Sequence, residues 1–264
     1  MKIDLSGKTA VITGSSSGIG FAIAKGLAGA GARMIVNSRH QDGISAAISK
    51  IKDAVPGAKL EGVAADVSNA EGCAALAKAV PDADVLVNNA GGATFQDFFQ
   101  IPDAEWIRMI EWNLMSGVRM SRAYMPGMLK RNWGRIVFIS SESGLHIPKE
   151  MIHYGMVKAS QLAVSRGLAE LTAGTGVTVN SVLPGPTKTE RMEGFMKATA
   201  EREGITPDEA ANRFVKNFRG TSLIQRMATT DEVANMVVYV CSPQASATNG
   251  AALRVEGGIV RTIA

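Results

Sequence analysis

The chain has 264 residues, 46% of them hydrophobic and 20% charged, which excludes a disordered or fibrous protein and supplies a sizeable core without disulfide staples. Lys and Arg outnumber Asp and Glu by 28 to 24, a net charge of +4, but they are scattered. The densest run, Lys130-Arg131 with Arg135, is too thin to track a phosphate backbone, so nucleic acid is not an expected partner.

From the N-terminus, Met1 to Lys8 carries no apolar leader, and no apolar stretch of about 18 residues follows, so a cytoplasmic protein without a membrane partner is expected. Short β-branched apolar runs predict strands over Thr9 to Thr13, Arg33 to Asn37, Leu60 to Ala64, Asp84 to Val87, Arg135 to Ser140, Val177 to Leu183 and Ala252 to Val255. Apolar residues at spacings of three and four predict helices between them: Ile19 to Gly29, Gly43 to Val55, Ala70 to Val80, Asp103 to Lys130, Tyr154 to Ala173 and Asp231 to Cys241. Strands apolar on both faces are covered on both faces, which implies a doubly wound α/β fold with a seven-stranded parallel sheet flanked by helices. No linker or repeat divides residues 1–264, which read as a single domain. Only Pro184 to Ser222 breaks the alternation, with helical pieces near Thr189 to Glu203 and Pro207 to Phe218, and it reads as a lid over the sheet's carboxyl edge near 187–220. Cys73 and Cys241 form no CxxC or Cys/His spacing, so reduced thiols and no metal site are expected.

Between the first strand and helix lies Gly14-Ser15-Ser16-Ser17-Gly18-Ile19-Gly20, a GxxxGxG turn. Glycines there allow a tight turn and close backbone approach, and the helix N-terminus offers free N–H groups to a pyrophosphate. The bland alternative is a tight connection and nothing more. The second strand ends Val36-Asn37-Ser38-Arg39-His40, with no acid to hold ribose hydroxyls, and Arg39 suits a 2′-phosphate. This favours NADP(H) over NAD(H), unless Arg39 is only a solvated loop residue. Tyr154 and Lys158, four apart on a helix, share a face, and an ammonium near a phenol is expected to lower its pKa toward the working range. A lone YxxxK could equally be a surface pair.

Here the pattern is not alone. The glycine turn, Asn88-Asn89-Ala90-Gly91, Asn113 within a helix, Ser141 thirteen residues before Tyr154-Gly155-Met156-Val157-Lys158, and Pro184-Gly185 with Thr189 follow in order, and over essentially its whole length the chain resembles the short-chain dehydrogenase/reductase family. That resemblance implies a Rossmann fold with Asn113, Ser141, Tyr154 and Lys158 as the catalytic group: Tyr154 the general acid, Ser141 bonded to the substrate oxygen, Lys158 lowering the tyrosine pKa and holding the nicotinamide ribose, Asn113 positioning a relay water. It also implies cofactor contacts from Gly14, Ser16, Ser17, Gly18, Ile19 and Gly20, from Asp66 and Val67 near the adenine, from Asn88, Ala90 and Gly91 beneath the adenosine ribose and phosphates, and from Pro184, Gly185, Thr187 and Thr189 near the carboxamide, with Tyr154 and Lys158 contacting it too. Asp66 could otherwise serve only the next helix's N-terminus, and Asn88-Asn89 could be structural.

Around the substrate, Glu142, His146, Met151, His153, Met192, Phe195 and Met196 are expected, with His153 pointing away from the chemistry. Met192 and Met196 line a pocket or simply pack a helix. Glu142, where the family commonly has a small or apolar residue, binds a substrate group or forms a salt bridge. Met109, Met115, Met120 and Leu168 read as exposed apolar candidates, and with the family's habit they point to a homotetramer, a dimer being the alternative. The resulting expectation is an oxidoreductase exchanging a hydride between NADP(H) and a carbonyl or secondary alcohol of a small or medium organic substrate, 3-oxoacyl thioesters among the candidates. An NAD-dependent sugar or polyol dehydrogenase of the same fold and a nucleotide sensor without turnover stand as alternatives.

Overall fold

The structure, a computed structural model, describes residues 2–263. In chain order the elements are β1 (Thr9–Ile12), α1 (Gly18–Gly29), β2 (Arg33–Ser38), α2 (Gln41–Ala54), β3 (Leu60–Ala64), α3 (Ala70–Ala79), β4 (Val85–Asn88), α4 (Asp103–Met109), α5 (Ser116–Lys130), β5 (Gly134–Ile139), α6 (Ile152–Glu170) and β6 (Val177–Pro184). There follow β7 (Thr187–Lys188), α7 (Glu190–Glu203), α8 (Pro207–Phe218), β8 (Ala228–Thr229), α9 (Thr230–Cys241) and β9 (Ala252–Val255). The seven predicted strands form one parallel sheet in the order β3-β2-β1-β4-β5-β6-β9.

Side chains alternate across the sheet, as the strand period requires. Ala10, Ile12, Val85, Val87, Val137 and Ile139 face the layer that holds α1, α2 and α9, whereas Val11, Leu86, Ile136 and Phe138 face the layer of α3, α5 and α6. Both faces are therefore buried, which is why the strands read as continuous apolar runs rather than as alternating ones. From β1 the chain steps outward to β2 and β3, then returns to place β4 on the other side of β1. The helices leave a crevice at this reversal, at the carboxyl ends of β1 and β4, and a ligand fits there.

Three features depart from the expectation. The segment read as one helix from Asp103 to Lys130 is interrupted by a π-helical turn over Ile110–Met115, which carries Asn113 into the interior. A second, two-stranded parallel sheet pairs β7 with β8, and strands of two residues are too short to leave a periodic signal. Met109 and Met120 are fully buried, and Met120 packs in the layer of α3, α5 and α6 beneath the sheet. They are core residues, so that part of the oligomer argument falls; Phe99, Ile107, Leu171 and Leu223 are among the apolar side chains that are exposed instead.

The lid forms its own small core from Met196, Ala200, Ala210, Phe214, Val215 and Met227. Its helices start at side-chain caps: Thr189 accepts from Met192 N, and Thr206 and Glu209 form a reciprocal capping box with Pro207 behind it. Met196 thus packs, as one of its two readings had it. Cys73 and Cys241 are buried free thiols, and among the described residues no helix is long and apolar enough to cross a membrane.

Phe138, wholly buried on β5, has its ring against Gly117, where a Cβ would lie 2.6 Å from it. Phe138→Ala should cost about 3–5 kcal/mol of unfolding free energy in urea titration; a loss below about 1 kcal/mol would show that the sheet centre is not the packed core described.

Candidate active site

The glycine turn is held from below. Asn89 donates its amide to Thr13 O and Gly14 O, both at 2.9 Å, and Thr13 Oγ1 accepts from the backbone N–H groups of Asn89 and Ala90, each at 3.0 Å. Gly14 and Gly18 have φ of +64° and +57°, a region that favours glycine. A Cβ at Gly20 would come within 2.4 Å of Gly14 O, so this position admits no side chain. The N-terminus of α1 already holds an anionic oxygen: Gly18 N–H donates to Glu190 Oε2 of the lid at 2.9 Å. This is the donor chemistry that a pyrophosphate requires, and the residues therefore fit a dinucleotide.

At the end of β5 the chain turns sharply through Ser140 to Gly144. Ser140 Oγ donates to Lys158 O at 2.9 Å, on the α6 side of the sheet, while the Ser141 hydroxyl bonds Glu142 at the wall of the cleft. A Cβ at Gly144 would lie 2.9 Å from Lys158 C, so the glycine lets the turn rest directly on α6. Glu142 is the centre of a buried network. Its Oε2 accepts from Ser141 Oγ at 2.6 Å and its Oε1 from Arg219 Nε at 2.7 Å and Ser143 Oγ at 3.2 Å. Arg219, at the end of α8, also donates through Nη1 to Glu150 Oε1 at 3.2 Å and Phe218 O at 2.6 Å. Glu142 and Arg219 are 3% and 5% exposed, so neither charge could stand alone there, and removing one partner of such a pair typically costs about 3–5 kcal/mol.

Tyr154 and Lys158 share a face in the first turns of α6, as their spacing required. The lysine Nζ lies 5.5 Å from the phenol ring centroid and donates to Ile139 O at 2.9 Å and Gln161 Oε1 at 3.1 Å. Gln161 in turn donates to Asn113 O at 2.6 Å, so the π-helical turn presents that carbonyl to the lysine's own partner. The Asn113 side chain grips Gly92, accepting from its N–H at 3.0 Å and donating to its O at 3.2 Å. A Cβ at Gly91 would meet Asn113 Oδ1 at 2.4 Å.

Burial acts on both members of the pair. Burial draws Lys158 down to about 7. Burial pushes Tyr154 well above its ordinary value and the Glu142 carboxylate pushes it further, against smaller opposing effects of the Ser141 hydroxyl and the Arg219 guanidinium. Among the chain's own groups, desolvation is the largest effect on the phenol, and it favours the protonated form.

A cleft of about 390 Å³ gathers Gly14, Ser17, Gly18, Ile19, Gly20, Gly91, Ser141, Tyr154, Lys158, Pro184, Gly185, Thr187 and Thr189. Asn113 stands behind it. Ser16 touches the start of α2, its Cβ 3.5 Å from where a Gly43 Cβ would be, and Arg39 is exposed at the end of β2 with no hydrogen-bond or ion-pair partner among the described residues. Asp66 accepts from Ser68 N at 3.1 Å, leaving Asn69 to cap α3, and the Val67 side chain packs in the core. Asn88 is turned away from the cleft: its amide donates to Ser121 Oγ at 3.1 Å on α5, because it ends β4 on the face that α5 covers, and Asn89 does the bracing instead. On the substrate side, Glu142, Met151 and Met192 line the cleft, whereas exposed His146 does not. His153 is buried against Thr94, its Nε2 2.8 Å from Thr94 Oγ1. Phe95, Phe214, Arg219, Glu190 and Gln161 were not foreseen. The first four come from the lid or from a loop distant in sequence, whereas Gln161 lies on α6 three residues after the lysine and was the one with a local signal.

The comparisons agree with this geometry. The family described as short chain dehydrogenase matches residues 8–200. An oxidoreductase of Bacillus subtilis, YvaG, whose own role is uncharacterized, is 46% identical over 263 residues, covering 100% of both chains. D-beta-hydroxybutyrate dehydrogenase of Cupriavidus necator is 34% identical, covering 97% of this chain and 99% of its own. The crystal structure of L-sorbose reductase from Gluconobacter frateurii, complexed with NADPH and L-sorbose, superposes with a TM-score of 0.93 at 32% identity over 100% of both chains. The protein therefore belongs to the short chain dehydrogenase family of oxidoreductases.

Proposed function

We propose that the protein transfers a hydride between NADP(H) and the carbonyl or secondary alcohol of a small or medium organic substrate, with Tyr154 giving or taking the proton. The observation that carries this reading is the convergence of the Tyr154 phenol, the Ser141 hydroxyl and the buried Lys158 in the same cleft as a helix N-terminus already bonded to an anionic oxygen. The NADPH complex of L-sorbose reductase supports the cofactor.

When bound, the nicotinamide supplies a hydride to the carbonyl carbon or accepts one from the alcohol. The chain's own residues do the rest. The Gly14 to Gly20 turn with Ser16, Ser17 and Ile19 takes the phosphates, Arg39 the 2′-phosphate, Asp66 and the Val67 backbone the adenine, Ala90 and Gly91 the adenosine ribose. Pro184, Gly185, Thr187 and Thr189 hold the carboxamide end, and Tyr154 and Lys158 the nicotinamide ribose. Tyr154 donates its phenolic proton to the oxygen of a carbonyl as negative charge develops there. Because its pKa is raised, the donating form persists through neutral pH, and reduction should fall and alcohol oxidation rise only as pH climbs well above neutrality. Asn113 and Gln161 fix the lysine so that it can exchange protons behind the tyrosine.

Tyr154→Phe should lower NADPH-dependent reduction roughly a hundred- to ten-thousand-fold while leaving NADPH fluorescence binding intact; wild-type turnover in that variant would end this reading. Arg39→Ala should weaken NADPH by about tenfold or more and leave NADH unchanged; equal effects on the two would favour the NAD-dependent alternative. Glu190 competes with phosphate for Gly18 N–H, so Glu190→Gln should tighten NADPH about two- to fivefold in the same titration. A panel of ketoses including L-sorbose, hydroxy acids including D-β-hydroxybutyrate, and 3-oxoacyl thioesters, followed by cofactor absorbance, sorts the substrate classes.

A further inference from the structure

Arg219 is a buried cation with one edge unused. A guanidinium presents its N–H groups in a rigid planar fork. Nε donates to Glu142 Oε1, and Nη1 donates to Glu150 Oε1 and Phe218 O. Nη2, with two more N–H groups, has no hydrogen-bond partner among the described residues. The side chain lines the cleft together with Ser141 and Tyr154, and its charge acts on the Tyr154 phenol. A desolvated, charged donor left without an acceptor is costly, so a ligand oxygen gains by meeting it.

We infer that Arg219 Nη2 is a substrate anchor, binding a second, uncharged oxygen of a carbonyl or hydroxyl on the carbon next to the one that reacts at Tyr154. This rests on the proposed hydride transfer for the placement of the reacting carbonyl. Spacing argues for a neighbouring carbon. Glu142 holds Ser141 Oγ on one oxygen at 2.6 Å and Arg219 Nε on the other at 2.7 Å. The serine hydroxyl and the guanidinium therefore stand as far apart as two partners of a single carboxyl group, and Nη2 shares its carbon with Nε. Two oxygens on adjacent carbons span that interval.

Charge decides that the second oxygen is neutral. The guanidinium already faces two carboxylates, Glu142 at 2.7 Å and Glu150 at 3.2 Å, and at the lid's edge of the cleft Glu190 is balanced by Arg191. A substrate carboxylate would be a third anion around one cation, whereas a ketone or hydroxyl oxygen accepts the same N–H without that repulsion. The remaining substrate side is apolar. Phe95, Met151, Met192 and Phe214 line it, and Phe218, the residue before Arg219, packs on Phe95 and Phe214 with ring centroids 6.5 and 5.1 Å apart. The substrate class that fits is a vicinal diketone or hydroxyketone bearing an apolar, aryl-sized group, in preference to a polyol or a keto acid.

The test uses the full chain with NADP+ bound, or NAD+ should NADP+ not bind, because an oxidised cofactor has no hydride to give and ketones act there as ligands alone. Three matched ketones are titrated by calorimetry: phenyl methyl diketone, with a neutral oxygen beside the reacting carbonyl; phenyl ethyl ketone, with a methylene there; and benzoylformate, with a carboxylate. The diketone should bind about tenfold tighter than either of the others. In Glu142→Gln/Arg219→Gln, which removes both buried charges together, its affinity should fall to within about twofold of the ethyl ketone's. Arg219→Lys, which keeps a cation for Glu142 but loses the fork, should do the same and answers the question if the double variant unfolds. Glu150→Gln removes one of the two opposing carboxylates and should tighten benzoylformate about threefold while leaving the diketone within about twofold. No binding of the diketone, equal binding of diketone and ethyl ketone to wild type, tightest binding of benzoylformate, or a diketone preference that survives in the folded Arg219 variants overturns the proposal. In parallel, NADPH absorbance follows reduction of the diketone. An Arg219-dependent diketone preference without turnover upholds the anchor and counts against the proposed hydride transfer instead.

Discussion

The site depends on how the end of β5 lies against the first turns of α6. Three contacts fix that junction: Lys158 Nζ on Ile139 O, Ser140 Oγ on Lys158 O, and the turn at Gly144 resting on the backbone of Lys158 where a Cβ would not fit. Together they place a serine, a phenol and a buried amine in one wall of a cleft, on elements whose backbones are held by a sheet and a long helix. Side chains on such rigid supports lose little further freedom when a substrate arrives, which is the main advantage of building chemistry there.

Burial then sets the proton chemistry in a direction that charge spacing alone does not suggest. An ammonium one helical turn from a phenol is expected to acidify it, yet here both groups are desolvated, and each is moved toward its neutral form. The carboxylate of Glu142 adds to this at the tyrosine. Its own charge is tolerable only because Arg219 reaches it from the lid, a residue 77 positions away in sequence. The lid is thus chemically part of the site, and its capped helices and small apolar core keep that arginine in place.

Much of the architecture was legible because hydrophobic periodicity is local. All seven sheet strands were found within a residue or two, since a strand covered on both faces is a continuous apolar run. The two helical pieces of the lid were legible as well, and the structure starts them at the caps Thr189 and Thr206. The π-helical turn at Asn113 was not legible, because the partners that hold that residue, Gln161 and Gly92, lie far from it in sequence. The turn-bracing role of Asn89 rather than Asn88 depends on which side of β4 each residue leaves.

The order and spacing of the glycine turn, Asn113, Ser141, Tyr154 and Lys158 determined by themselves the family and the parallel doubly wound fold, because those signals are short-range and tied to particular elements. Only the tertiary structure decided that Glu142 is salt-bridged and bonded to Ser141, that Arg219, Gln161 and Glu190 belong to the site, and that the phenol and the lysine are both desolvated. Those outcomes depend on distances between segments far apart in the chain and on how completely water is excluded between them, and neither quantity is written in any local run of residues.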